Sequence, residues 1–430
     1  MKTKDKISII TLGCSKNTVD SERLLNQLKV NDFNLIEDPG EAETVIINTC
    51  GFIEAAKQES IDTILNAVEL KNQGKLKKVM VAGCLSQRYM EDLKKEIPEV
   101  DAYFGTEKYE GILSELGGKL KKELLGERLI TSPSHTAYLK ISEGCDHPCS
   151  FCAIPLMRGA HKSKPIDKLI RETEFLAANN TKELILIAQD TTDYGKDIYG
   201  KKSLAELINK LSDVKGIEWI RLMYAYPSQF PDAVIEVIAD NPKVCKYVDI
   251  PLQHISDNVL SSMRRGVTGK RTRELLYKLK TKIPEIALRT TFIVGYPNER
   301  EKEFEELCEF VKEIEFDRIG TFTFSVEDKT VSFILGDSVP YNVKQKRRNT
   351  LMEIQKDISF KRNKSFINKK LKVLVENIEG NYYVSRSYRD APEVDGEVLI
   401  GRKNFKVKPG DFCMTEVYDN NEYDLFANFI

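Results

Sequence analysis

Three short runs rich in β-branched residues each end on a cysteine. ISIITLG leads into Cys14, TVIINT into Cys50 and KVMVAG into Cys84. Runs of this length and composition read as buried parallel strands. Each is followed by a helical pattern, in turn TVDSERLLNQLKV, EAAKQESIDTILNAVEL and QRYMEDLKKEI. Strand, loop and helix repeated three times confine this part of the chain to an open, doubly wound parallel sheet. In such a sheet, sites form outside the carboxyl ends of the strands. All three cysteines sit there, 36 and 34 residues apart, so aligning the strands brings them together. A lone buried cysteine is commonly a small core residue. Three at one topological position read better as one set of ligands.

Beyond Gly117-Gly118 and a charged stretch, ITSPSHTAY (130–138) reads as a linker, and a second alternation begins. Candidate strands are YLKIS (138–142), ELILIA (183–188), EWIRLMY (218–224), KYVDI (246–250), ALRTTFIV (287–294) and RIGTFTF (318–324). Helical patterns such as SLAELINKL and EFEELCEFVKEI lie between them. Six strand–helix units predict a partial (β/α)6 barrel, with its chemistry on loops at the strands' carboxyl ends. Gln189, Asp190, Tyr226, Gln253, His254 and Gly295 fall near such ends. A long polar helix, VKQKRRNTLMEIQKDISFKRNKSF, leads to a tail of different texture. From Leu371 the stretches LKVLVENIEGNYYVSRS, GEVLIGR, FKVKPGDFCMTEVYD and YDLFANFI predict a small all-β barrel. The expected domains are 5–122, 131–362 and 364–430.

Composition matters mainly for the cysteines. There are nine, an odd number, and no export signal precedes them. No run approaches the roughly 20 apolar residues that span a bilayer. A cytoplasmic protein is expected, with thiolates serving as ligands and no disulfide framework. Lys plus Arg (65) nearly balances Asp plus Glu (66), so net charge does not mark a nucleic-acid binder.

The stretch EGCDHPCSFC places Cys145, Cys149 and Cys152 in one loop after the first barrel strand. A structural zinc site takes four protein ligands, usually as two close pairs. This spacing matches none, even with His147 as a fourth. A four-iron cluster wants one thiolate per iron. Three thiolates leave one iron open to a small molecule.

The loop resembles that of the radical S-adenosylmethionine superfamily, and the whole chain resembles its methylthiotransferases. TLGCSKNTVDSE, NTCGFI, AGCLSQRY and ISEGCDHPCSFCAIPLMRG carry the resemblance, and the β tail is similar to a TRAM domain. The resemblance implies two 4Fe–4S clusters, one on Cys145, Cys149 and Cys152 and a second on Cys14, Cys50 and Cys84. It implies S-adenosylmethionine as cosubstrate, cleaved to a radical that abstracts hydrogen from carbon. The second cluster would hold the sulfur that becomes the methylthio group. Phe151 matches the aromatic position near the adenine, and Gln189 and Asp190 the region near the cosubstrate amine, where Asp190 could equally be a structural cap. An electron donor such as a flavodoxin or ferredoxin, and a sulfur donor, are implied partners. Arg158 is expected to meet a carboxylate, either the substrate's or that of a surface salt bridge.

One branch of that family modifies an adenosine in tRNA and another an aspartate of small-subunit ribosomal protein S-twelve. From Glu376 to Ile430 there are six Lys and Arg against eleven Asp and Glu. Phosphate binding wants a basic surface, so this tail suits a basic ribosomal protein better. RSYRDAPEVDGEV (386–398) is similar to the same branch through Arg386, Asp390, Pro392, Glu393, Asp395 and Gly396. Arg386, Asp390, Glu393 and Asp395 are therefore expected to contact substrate. The alternatives are the tRNA enzyme and a non-catalytic iron–sulfur protein that binds ribosomes. GYPNER and SVEDKT depart from the usual family pattern near two barrel-end loops. His254 is expected to be packed, Cys245, Cys308 and Cys413 to be core or surface thiols, and Trp219 to be core.

Overall fold

The amino-terminal strands pair because their β-branched side chains fill both faces of one sheet. The computed structural model describes residues 5–402 and 406–430. Here β1 (Lys6–Thr11), β2 (Asn34–Leu35), β3 (Thr44–Thr49), β4 (Lys78–Gly83) and β5 (Ala102–Tyr103) form a parallel sheet in the order β2-β1-β3-β4-β5. Helix α1 (Ser15–Lys29) contributes Leu24 and Leu28 to one face. Helices α2 (Glu54–Asn72) and α3 (Cys84–Glu96) contribute Ile64, Ala67, Leu85 and Leu93 to the other. The sheet is doubly wound, as its repeat demands.

The central sheet holds β6 (Thr136–Lys140), followed by the two-stranded pair β7 (Ser142–Glu143) and β8 (Lys162–Ser163). It continues with β9 (Glu183–Ile187), β10 (Trp219–Leu222), β11 (Val244–Asp249), β12 (Ala287–Val294) and β13 (Arg318–Thr323). The six long strands are all parallel and run β13-β12-β11-β10-β9-β6 without closing. Leu184 and Leu186 point out to the helix layer. Ile185 and Ile187 point into the lumen, where they meet Val19 of α1 and Leu374 and Ala391 of the tail. The lumen is thus filled from both sides: by the first sheet's helix and by the carboxyl-terminal domain.

The helix Tyr341–Lys364 leads to a closed barrel of β14 (Lys370–Glu379), β15 (Tyr382–Ser387), β16 (Val398–Gly401), β17 (Phe412–Asn420) and β18 (Leu425–Phe429). Alternate residues Leu371, Val373 and Val375 face its core with Ile400, Val417 and Ala427. Phe405, which opens the third stretch expected in this tail, lies outside the described residues. Trp219 is buried edge-on against Phe412, 4.8 Å between ring centres, as expected of a core residue. Cys245 and Cys308 are buried and Cys413 half-buried. Among the described residues no helix is long and apolar enough to cross a membrane.

Candidate functional site

Cys14, Cys50 and Cys84 follow three neighbouring strands of the first sheet. Cys14 caps α1 in an extended conformation, Cys50 comes directly after β3, and Cys84 opens α3. Two glycines allow the approach. A Cβ on Gly13 (φ +92°) would lie 2.7 Å from the Cys50 Cβ and 2.9 Å from its sulfur. One on Gly83 (φ +97°) would lie 2.6 Å from the Thr49 carbonyl oxygen. Cys50 and Cys84 are buried while Cys14 is exposed. Burial pushes the Cys84 thiol up to about 11 and raises that of Cys50, and the nearby thiols of the same trio push further in the same direction. Such thiols stay protonated at neutral pH until a metal displaces the proton.

The second trio lies in the loop that follows β6 and β7. Ser150 anchors this loop: its hydroxyl donates to the Ser262 carbonyl (2.8 Å), and its N–H donates to that of Met263 (3.0 Å). Burial pushes Cys145 and Cys152 up to about 12, and the Cys149 thiol adds to the rise in both. Arg265 Nη1 donates to the Cys149 sulfur at 3.3 Å, and the Tyr226 hydroxyl stands 3.6 Å from it. His147 stacks on Tyr226 with ring centres 3.6 Å apart, and its Nε2 lies 2.6 Å from Asp190 Oδ2. Asp190 Oδ1 accepts from the Thr192 N–H at 2.7 Å, so the cap foreseen for Asp190 coexists with its place beside the loop. Gln189 Nε2 donates to Glu143 at 2.6 Å, while Gln189 Oε1 is buried with no hydrogen-bond partner among the described residues. Phe151 is half-buried against Val259, Met263, Tyr296 and Phe324. His254 is fully buried, its Nδ1 accepting from the Ser256 N–H at 3.0 Å. It is packed, as expected.

A buried ionic network ties the segment that carries the second trio to the first trio. Arg158, from the helix Ile154–Arg158 after the second trio, donates from Nε to the Cys84 sulfur of the first at 3.2 Å. Its Nη1 donates to Asp20 (2.6 Å) and Glu143 (3.2 Å), and its Nη2 to Asn17 Oδ1. Lys140, at the end of β6, is wholly buried among Asp20, Glu107 and Glu143. Burial works to raise the Asp20 carboxyl, yet Lys140 and Arg158 drive it well below the usual carboxylate range. A second link is the SVEDKT loop. Glu327 takes Arg88 of α3 (2.8 Å) and Lys57 of α2 (3.2 Å), and Ser332 N–H donates to the Ser150 carbonyl (2.7 Å).

Sequence reasoning singled out Arg158 for a carboxylate, and the structure gives it two internal ones, Asp20 buried and Glu143 partly so. It does not bring Arg386, Asp390 or Asp395 to the trios. Arg386 Nη2 lies 2.5 Å from Glu183 at the start of β9, and Asp390 lies 2.7 Å from Arg318 at the start of β13. Asp395 accepts from Tyr247 (2.7 Å) and sits 3.3 Å from Arg289. These charges are spent on the barrel's inner wall because burying an ion is costly unless its opposite lies beside it. Glu393 alone of that group is exposed. Lys16, Asn17, Asp20, Lys140 and Arg265 were missed. For the first four the one signal was closeness in sequence to the cysteine motifs; Arg265, far along the chain, had none.

Three separate regions match known families. Residues 6–105 match Uncharacterized protein family UPF0004, residues 139–311 the Radical SAM superfamily, and residues 367–430 the TRAM domain. Relatives named ribosomal protein uS12 methylthiotransferase RimO run the full length of the chain. The one from Christiangramia forsetii is 54% identical, covering 99% of this chain and 94% of its own. That from Chloroherpeton thalassium is 50% identical over 100% of both. Among solved structures, the radical S-adenosylmethionine methyltransferase TsrM from Kitasatospora setae, bound to tryptophan and a cosubstrate analogue, shares the fold. It aligns with a TM-score of 0.57 at 12% identity, over 88% of this chain and 79% of that one.

Proposed function

The chain belongs to the ribosomal protein uS12 methylthiotransferase RimO family, and from that premise we propose the reaction and the residues that perform it. It is a radical S-adenosylmethionine enzyme that replaces a hydrogen on the β-carbon of an aspartate in ribosomal protein uS12 with a methylthio group. The supporting observation is that Arg158, at the end of the helix that follows the second trio, donates to the Cys84 sulfur of the first, which lies in a different domain.

We assign Cys145, Cys149 and Cys152 to one 4Fe–4S cluster and Cys14, Cys50 and Cys84 to the other. The donor set fits: each trio gives soft thiolates to three irons and leaves the fourth free. When bound, the first cluster supplies the electron that cleaves S-adenosylmethionine and the second an open iron for sulfur. The chain's own work is positioning. Arg265 and Tyr226 face the Cys149 sulfur, and hydrogen bonds to cluster sulfurs set the potential. Gln189 Oε1, buried without a partner, and Asp190 suit an ammonium such as that of the cosubstrate. Phe151 offers an apolar wall for its adenine. Filling of the lumen from both sides excludes water from the path of a reactive radical.

The domain limits 5–122, 131–362 and 364–430 follow the three sheets and are proposed as folding units. A flavodoxin or ferredoxin as electron donor, a separate sulfur donor and a cytoplasmic setting complete the reading. The exposed Glu393 remains as a tail contact for a basic protein. The test is anaerobic incubation of reconstituted enzyme with reductant, S-adenosylmethionine, uS12 and tRNA together, followed by mass spectrometry of both. Methylthio mass on a uS12 aspartate is expected. Mass on tRNA alone, or no 5′-deoxyadenosine at all, overturns the proposal.

A further inference from the structure

We infer that Lys16 binds the side-chain carboxylate of the substrate aspartate, holding it between the two cysteine trios; this rests on the function proposed above. Lys16 lies in the first turn of α1, two residues after Cys14. Val19, on the same face of the helix, packs into the lumen against Ile185, Ile187 and Met223. Lys16 therefore points inward, and only 8% of it is exposed. Its ammonium stands 3.1 Å from the centre of the Tyr224 ring.

Most of the buried cations near the trios are matched by acids, and Arg265, which is not, donates to the Cys149 sulfur and the Pro251 carbonyl. Arg23 has Glu172, Arg128 has Glu22, Lys140 has Asp20, and Arg158 has Asp20 and Glu143. Lys16 pairs with no carboxylate and donates no hydrogen bond among the described residues. Taking an ammonium out of water is costly without an anionic partner. An aromatic face returns part of that cost and leaves the charge available. A site that tolerates this is shaped for an anion that arrives from outside.

The location fits the substrate. On one side, Lys16 is two residues from a ligand of the first trio. On the other, Tyr224 is two residues from Tyr226, which stands 3.6 Å from the Cys149 sulfur of the second. Tyr224 is held in place: its φ is +58°, its N–H donates to Asp249 at 3.1 Å, and its carbonyl accepts from the Thr191 N–H at 3.1 Å. The backbone that carries the ring is thus fixed where it meets the ammonium. In an aspartate the carboxylate is one bond from the β-carbon. Fixing the first aims the second between the centre that makes the radical and the centre that holds the sulfur. The charge also discriminates, because an asparagine of the same shape cannot satisfy an ammonium in a dry site.

The experiment compares uS12 with uS12 in which the aspartate located by mass spectrometry is changed to asparagine. Binding of each to the anaerobically reconstituted full chain is followed by fluorescence anisotropy, with iron content as the second readout. The native enzyme should prefer the aspartate form by about 30-fold or more, as for truncation of one member of a buried charge pair. Lys16→Met should bring the two forms within about threefold while keeping its iron, and Lys16→Arg should retain most of the preference. A Lys16→Met enzyme that still prefers aspartate overturns the inference. So does one that loses the iron of the first trio, because Lys16 would then be balancing the cluster's charge. Native enzyme that modifies uS12 yet binds both forms equally refutes Lys16 alone. Native enzyme that neither binds nor modifies uS12 refutes the underlying function, and the inference falls with it.

Discussion

Removing the Arg386 guanidinium separates two readings of the tail: a strut or a substrate contact. Arg386 Nη2 is 2.5 Å from Glu183 Oε2, and the other carboxylate oxygen of Glu183 accepts from Arg221 Nε at 2.8 Å. The side chains of Glu183 and Arg221 are wholly buried, and that of Arg386 is 4% exposed. Breaking a buried pair by deleting one partner costs about 3–5 kcal/mol. Arg221 stays behind to hold Glu183, which places Arg386→Ala near the lower end, about 3 kcal/mol. That corresponds to a population of undocked tail raised by roughly two powers of ten. Limited proteolysis at Lys369, between the helix Tyr341–Lys364 and β14, reads that population when opening is fast compared with cleavage. Cleavage about 100-fold faster, with unchanged iron content, is expected. Glu183→Gln should do at least as much, because it leaves two guanidinium groups facing each other. Cleavage within threefold of the native rate, together with a raised KM for uS12, would refute the strut and make Arg386 a substrate contact.

Cys50→Ala and Cys149→Ala should each lower iron from about eight to about four per chain after anaerobic reconstitution, measured by colorimetric iron assay. Acid should loosen the domain junctions. Burial works to raise Glu183 and Glu172, yet Arg386 and Arg221 hold the first at about 2, and Lys164 and Arg23 hold the second at about 2. Their ordinary value is near 4.5, so the stability they contribute is complete above that pH. It is lost as pH falls from about 4.5 toward 2, on the order of 3 kcal/mol for each group, which thermal melts across that range will show. Arg265→Met should lower the potential of the cluster on the second trio by tens of millivolts, as an order of magnitude, through loss of the hydrogen bond to Cys149; a redox titration followed by electron paramagnetic resonance checks it.

The strands were legible because burial on both faces writes them as unbroken apolar runs. ALRTTFIV became β12 residue for residue. EWIRLMY was too long: the ladder stops at Leu222, because Tyr224 turns to positive φ and gives its N–H to Asp249. The first barrel strand begins at Thr136, inside the expected linker, because Thr136–Lys140 pair with Glu183–Ile187. Cysteine spacing pointed to both trios. What no local pattern carried was the burial of charge. Nothing local marks Asp20, Glu22 and Arg23 on α1 as buried. They are buried because Lys140, Arg128 and Glu172 reach them from over 100 residues away. The acids of the tail misled for the same reason. Asp390 and Asp395 were expected to contact substrate, and the cations beside them are Arg318 and Arg289 of the same chain.

The Asp20–Lys140–Arg158 network has a consequence for how such chains diversify. A recombination point placed between the first sheet and the barrel would leave Lys140 and Arg158 to share the one carboxylate of Glu143 on one side and Asp20 without either cation on the other. Neither half is therefore an interchangeable cassette. A chimera built from two relatives should assemble only if both donors carry the same three charges, and lineages are expected to inherit the two halves as one cistron-length block.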